Sequence, residues 1–147
     1  MVINKLNLIG AYLAIFILLT SSLIFIFRLT HQQIAEYWTG IAFMLTAIPI
    51  VYLIFSSTNF ERPTFYYIQL GLMLGFIIVE LFLDYVLKVD FRQTRWIVIF
   101  YVTMFFASTG GMIGIASQAG KYWTILAIIL FLIMTALAFI QRAKTGL

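Results

Sequence analysis

The sequence predicts an all-α integral membrane protein, a bundle of five transmembrane helices. Three observations predict it. Of the 147 residues 64% are hydrophobic and only 10% charged, whereas an average soluble domain has about 25% charged residues. A soluble fold this small could not bury so much apolar surface. The apolar residues also fall into five runs of the length that crosses a bilayer core, about 20 residues each. Finally, the tryptophans and many of the tyrosines gather at the starts of those runs, where an amphipathic ring prefers the membrane interface.

The runs are residues 6–27, 37–57, 65–88, 95–118 and 121–141, and the whole chain, 1–147, reads as one transmembrane domain. The first has Lys5 before it and small residues in "LLTSS". Its apolar stretch continues to Phe27, too long for a signal-peptide core, so it reads as a retained helix. The second opens on Tyr37 and Trp38 and carries Pro49 near its middle, where a missing N–H should kink it. The third follows Pro63, a residue suited to a first helical turn. Thr94 can cap the fourth, and Gly120 can end it. Tyr122 and Trp123 open the fifth.

Five spans place the termini on opposite sides. Lys5, Arg62 and Lys121 fall on one side; Arg28, Lys88, Arg92, Arg95, Arg142 and Lys144 fall on the other. The excess of cations on the second side predicts an outside N-terminus and a cytoplasmic C-terminus. The net charge of +4 belongs to this orientation. No basic run of the kind that follows a nucleic-acid backbone occurs. The expected surroundings are the lipid bilayer and either further copies of the chain or other membrane subunits. Which membrane it occupies is not written in the sequence.

The third run contains an anomaly. "VELFLDYVLK" holds Glu80 and Asp84 one helical turn apart, with Lys88 a further turn on. At about 1.5 Å per residue Glu80 lies roughly 12 Å from Lys88, close to the midplane of a core about 30 Å thick. An ionised side chain there costs at least about 2.5 kcal/mol, so Glu80 must be neutral, paired or facing water. Depth in hydrocarbon favours the neutral form of a carboxyl, which suits reversible proton binding. Glu80 and Asp84 are therefore the candidate ion or proton site. Arg28, Lys88 and Arg95 are the candidate charge partners, and Ser21, Ser22, Thr46, Thr103 and Thr135 form a polar layer at similar depth. Tyr66, Gln69, Met73 and Ile77 continue the Glu80 stripe outward.

Small residues mark the expected helix contacts. "GLMLG" holds Gly71 and Gly75; "ASTGGMIG" holds Gly110, Gly111 and Gly114. In lipid, helices associate through close backbone approach rather than hydrophobicity, so the two glycine faces are expected to pack together or to form a seam between copies. That arrangement would put the fourth span on the side of the third away from Glu80, out of easy reach of Thr103.

Catalytic and cofactor chemistry finds little to use. His31 is the single histidine and cysteine is absent, which removes a bis-histidine haem and a histidine–cysteine zinc site. No nucleophile motif or Ser-His-acid set lies in one plane, and two acids on one helix do not make an aspartic dyad. No catalytic residue, metal or cofactor is expected, and the chain reads as no enzyme. Two functions fit. The first is movement of a small solute or ion, linked to protons, along a polar path beside the third span. The alternative is a non-catalytic subunit or assembly factor of a larger membrane complex.

Overall fold

The computed structural model describes residues 2–57, 64–82 and 95–145. These residues are helical apart from short turns. The order is α1 (Val2–Leu29), α2 (Gln33–Leu45), α3 (Ala47–Ser57), α4 (Thr64–Glu80), α5 (Arg95–Ser117) and α6 (Lys121–Thr145). Four stretches are long and apolar enough to cross a membrane: Lys5–Leu29, Gln33–Ser56 (α2 run on into α3), Ile99–Ser117 and Lys121–Lys144. α4 is apolar but has 17 residues. The rest of the expected third span, after residue 82, lies outside the described residues, as do Pro63 and Thr94.

α1 occupies the middle. It packs on α6, α5, α2 and α3. Small residues permit this: Ala11 and Ala14 are fully buried, and a Cβ at Gly10 would stand 3.0 Å from Ile115 of α5 and 3.8 Å from Leu53 of α3. Tyr12 meets Trp123 of α6 edge to face at 4.9 Å.

The turn after α1 is tight because the helix closes its own end. Gln32 N–H reaches back to the Phe27 carbonyl at 2.9 Å and His31 N–H to that of Arg28 at 3.3 Å. His31 takes φ 58°, the left-handed position that usually holds glycine in such a cap. Gly120, at φ 137°, makes the equally short turn from α5 into α6.

Proline divides the second long stretch. Pro49 has no N–H for the Leu45 carbonyl, and its ring crowds that carbonyl. The discontinuity accordingly falls at Thr46, three residues before the proline. Thr46 N–H bonds the Phe43 carbonyl at 3.2 Å, its hydroxyl donates to the same oxygen, and α3 resumes with Ile50 N–H on the Thr46 carbonyl at 3.1 Å. Against this break and α1 opens a groove of about 570 Å³, lined by Ile9, Tyr12, Phe16, Leu45 and Pro49 among others.

α4 buries Tyr66, Gln69, Leu70, Met73, Phe76, Ile77 and Glu80. The stripe that carries Glu80 is therefore its core face, and α5 is its main neighbour. The two run antiparallel: Gln69 lies at Gly111 and Gly114, Gly75 at Met104, and Glu80 at Tyr101. The packing differs from the expected meeting of glycine faces. A Cβ on Gly71 would meet nothing within 4 Å, and Gly110 faces Phe131 of α6. The glycines of α5 instead make room for a long polar side chain, because a Cβ at Gly114 would fall 2.2 Å from the Gln69 amide nitrogen and 3.0 Å from its carbonyl carbon.

The two sets of glycines should thus respond differently to substitution. Gly114→Val is expected to cost about 1–3 kcal/mol, the usual penalty for overpacking, and Gln69→Ala in the same chain should recover much of it. Gly71→Ala should be neutral or stabilising by up to about 1 kcal/mol, from helix propensity alone. Unfolding of the purified variants in one detergent measures both.

Candidate functional site

The site forms where α1, α2, α4 and α5 meet. Glu80 ends α4 at 8% exposure, and the helix loosens into a π-type turn at Leu81 and Phe82 directly after it. Such turns recur at functional positions. Tyr101 of α5 donates its hydroxyl hydrogen to Glu80 Oε1 at 3.2 Å. Beside this pair is a cavity of about 40 Å³. Its polar wall consists of Ser21 and Arg28 from α1, Glu80, and Tyr101. Its apolar wall includes Phe25, Phe43 and Phe105.

The aromatic rings hold that wall together. Phe76, fully buried on α4, contacts Phe43, Tyr101 and Phe105 with centroids 6.3, 5.3 and 5.4 Å away, and Phe25 meets Phe105 at 5.8 Å. Edge and tilted contacts of this kind add about 0.5–1.5 kcal/mol per pair beyond burial. They also leave little freedom in how α1, α2, α4 and α5 approach one another.

Arg28 supplies the positive charge. Its Nε donates to Glu36 Oε1 at 2.6 Å, a salt bridge whose side chains keep 20% and 30% of their exposure. The guanidinium carbon lies 5.9 Å from the centre of the Phe25 ring, within cation–π range. The tight α1–α2 turn creates this pair, since it returns Glu36 to Arg28 eight residues along the chain. Both Glu36 and Glu80 act electrostatically on Arg28. Arg28 of α1 is thus a cation presented to carboxylates on both α2 and α4.

The other expected site residues divide clearly. Among the polar layer, Ser21 reaches the Glu80 cavity. Its hydroxyl is 3% exposed as a residue and has no hydrogen-bond partner among the described residues. Ser22 donates to the Leu18 carbonyl and Thr135 to that of Phe131, each at 2.9 Å, and Thr46 serves the α2 break. Those three hydroxyls are occupied within their own helices. Thr103 lies on an exposed face of α5. Asp84 and Lys88 fall outside the described residues, and so does the side chain of Arg95, although Arg95 starts α5. No group of three metal-binding side chains occurs among the described residues.

Two members of the cluster escaped the sequence reading as site residues. Glu36 was legible as a helix-start acid, and its pairing follows from a helical arginine, a three-residue turn and an acid one turn into the next helix. Tyr101 carried a subtler signal. It lies six residues past Arg95, away from the interfacial aromatics, and a tyrosine inside an apolar run needs a partner for its hydroxyl.

Comparison with protein-family models, characterised proteins and solved structures finds no match. What the site can do must be read from its own chemistry.

Removing the Tyr101 hydroxyl tests the central contact. Tyr101→Phe keeps the ring on Phe76 and should cost about 0.5–1.5 kcal/mol, the net worth of one hydrogen bond. Paired with Glu80→Gln in a double-mutant cycle, the two losses should be markedly less than additive.

Proposed function

We propose that the chain is a multi-pass integral membrane protein with the five spans and the orientation expected above. Support comes from the four long apolar stretches, the apolar α4 beside them, and the outward exposure of Trp38, Trp96 and Tyr122 at helix starts. We propose further that it moves a small solute or ion, linked to protons, beside the third span, with Glu80 as the proton site. It is no enzyme on this reading. The observation that carries the reading is the shared cavity of Glu80, Arg28, Tyr101 and Ser21 between four helices.

The chemistry runs as follows. Arg28 stays charged, and Glu36 holds it at the cytoplasmic end of α1. A proton on Glu80 then makes its buried carboxyl neutral. Loss of that proton leaves a buried negative charge, whose cost a low-dielectric site makes large. Binding a proton therefore changes the energy of the closed arrangement, which is what coupling to a conformational change requires. Asp84, four residues further along the sequence and outside the described residues, is the expected relay in this scheme. Toward the other side Met73, Phe76 and Ile77 are buried on the same face of α4, so release there needs the helices to shift.

The second reading, an accessory subunit of a membrane complex, draws on the apolar groove between α1 and the α2–α3 break. A partner helix would cover it. The Glu80 cavity lies elsewhere, lined in part by α4 and α5, and favours the transport reading.

Two experiments separate these possibilities. In vesicles carrying an internal pH dye, wild-type chain should pass protons under an imposed gradient, and Glu80→Gln should reduce the rate to that of protein-free vesicles while still showing a cooperative melt. An unchanged rate removes Glu80 from the path. Because the chain has no cysteine, single cysteines at Val2 and Lys144 report topology directly. An impermeant thiol reagent should reach them from opposite sides of the membrane; labelling from the same side would exclude five spans.

A further inference from the structure

Two features of the Glu80 cavity point to an occupant. The first is Ser21. Its hydroxyl is buried at 3% exposure with no hydrogen-bond partner among the described residues, although a helical serine can turn its hydroxyl onto the carbonyl four residues back, as Ser22 does. Burying a hydroxyl without any hydrogen bond is unfavourable. The second is volume. The cavity measures about 40 Å³, and a buried water needs about 10–15 Å³ of such space together with two to four polar partners. Ser21, Glu80, Tyr101 and Arg28 provide four.

Charge selects among small occupants. A metal or ammonium ion would face the Arg28 guanidinium. An anion would face Glu80, with Glu36 close behind. A neutral molecule that both donates and accepts suits every wall. Its volume limits it to the size of one to about three waters.

We propose that this cavity is a water site, and that water held between the Ser21 hydroxyl and the Glu80 carboxyl is the group through which Glu80 exchanges its proton. The proposal rests on the reading of Glu80 as a proton site. The Glu80 O–H bond breaks as its proton passes to the water oxygen. One of that water's own protons leaves along a hydrogen bond to a further water at the partly exposed Arg28 end of the cavity, and bulk water accepts it. One proton moves and the water is regenerated. Among the described residues, Arg28 (α1), Glu36 (α2) and Tyr101 (α5) are charged or titratable groups near Glu80 from the neighbouring helices. Of these Arg28 takes no part in transfer, since it never gives up its charge. Ser21 is a positioning residue that anchors the water.

Infrared difference spectra of the full chain in phosphatidylcholine vesicles, recorded between acid and alkaline buffer, test this. Spectra are taken in ordinary and in oxygen-18 water. A carboxyl band absent from Glu80→Gln identifies Glu80. The expected result is an isotope-sensitive water band that changes together with that carboxyl band. It should be lost in Ser21→Val, whose methyl groups fill the cavity, and shifted in Ser21→Ala, which keeps the space but removes the anchor. Melting curves identify a misfolded valine variant, in which case the alanine variant decides. A titrating Glu80 band with no accompanying water band overturns the water site and leaves the proton reading standing. A water band indifferent to both Ser21 variants overturns it as well. If no Glu80 carboxyl band titrates, the proton reading fails and the water proposal fails with it.

Discussion

The Arg28 guanidinium lies among polar groups from three other helices, and the way those four helices meet depends on keeping it there. Arg28 ends α1 and is bonded to Glu36 at the start of α2. Its other neighbour is the cavity that Glu80 brings from α4 and Tyr101 from α5. A charge-assisted hydrogen bond is worth about 1.5–3 kcal/mol in an ordinary protein, and a lone charge in a bilayer core costs at least as much. Shifting α1 by a turn would separate Arg28 from Glu36. Shifting α4 would separate Glu80 from Tyr101. The polar cluster thus specifies register in a bundle where apolar packing alone is nearly indifferent to it.

Packing then works around that register. Where lipid is the solvent, one apolar face is as comfortable outside as inside. The discriminating contacts are the close ones. Gly10 lets α1 lie against α3 and α5, and Gly111 and Gly114 let Gln69 of α4 sink into α5. The Gln69 contact and the Tyr101–Glu80 contact lie at opposite ends of the α4–α5 pair, so each fixes the same antiparallel alignment independently. The Phe76 ring cluster between them fills the space that this alignment leaves.

Much of this was legible in the sequence, and the failures have a common cause. Run length and interfacial aromatics located the helices, and the i, i+4 spacing singled out the Glu80 stripe. The kink expected from Pro49 is present, displaced to Thr46 because the crowded carbonyl lies four residues upstream. Periodicity, however, says which residues share a face and not which helix that face meets. Glycines on α4 looked like the contact surface because small residues usually are, yet Gly71 is open and the polar stripe is buried. Pairing the glycine faces also sent α5 to the wrong side of α4, which hid Tyr101 from view. In a soluble protein hydrophobicity would have settled the choice; here both faces are apolar enough to be either. Ser21 illustrates the same limit. It was one of five hydroxyl residues at similar depth, and only the packed helices distinguish it from those that bond their own backbone.

Counting protons tests the role of Glu80 most directly, without assuming any transported species. Purified chain is given a small acid pulse in weakly buffered detergent solution, and uptake is followed with an indicator dye. Wild type should bind close to one more proton per chain than Glu80→Gln, with Tyr101→Phe keeping that proton but binding it at a shifted pH. Equal uptake by wild type and Glu80→Gln at every pH would contradict a reversible proton site at Glu80 and leave the cluster a purely structural clamp.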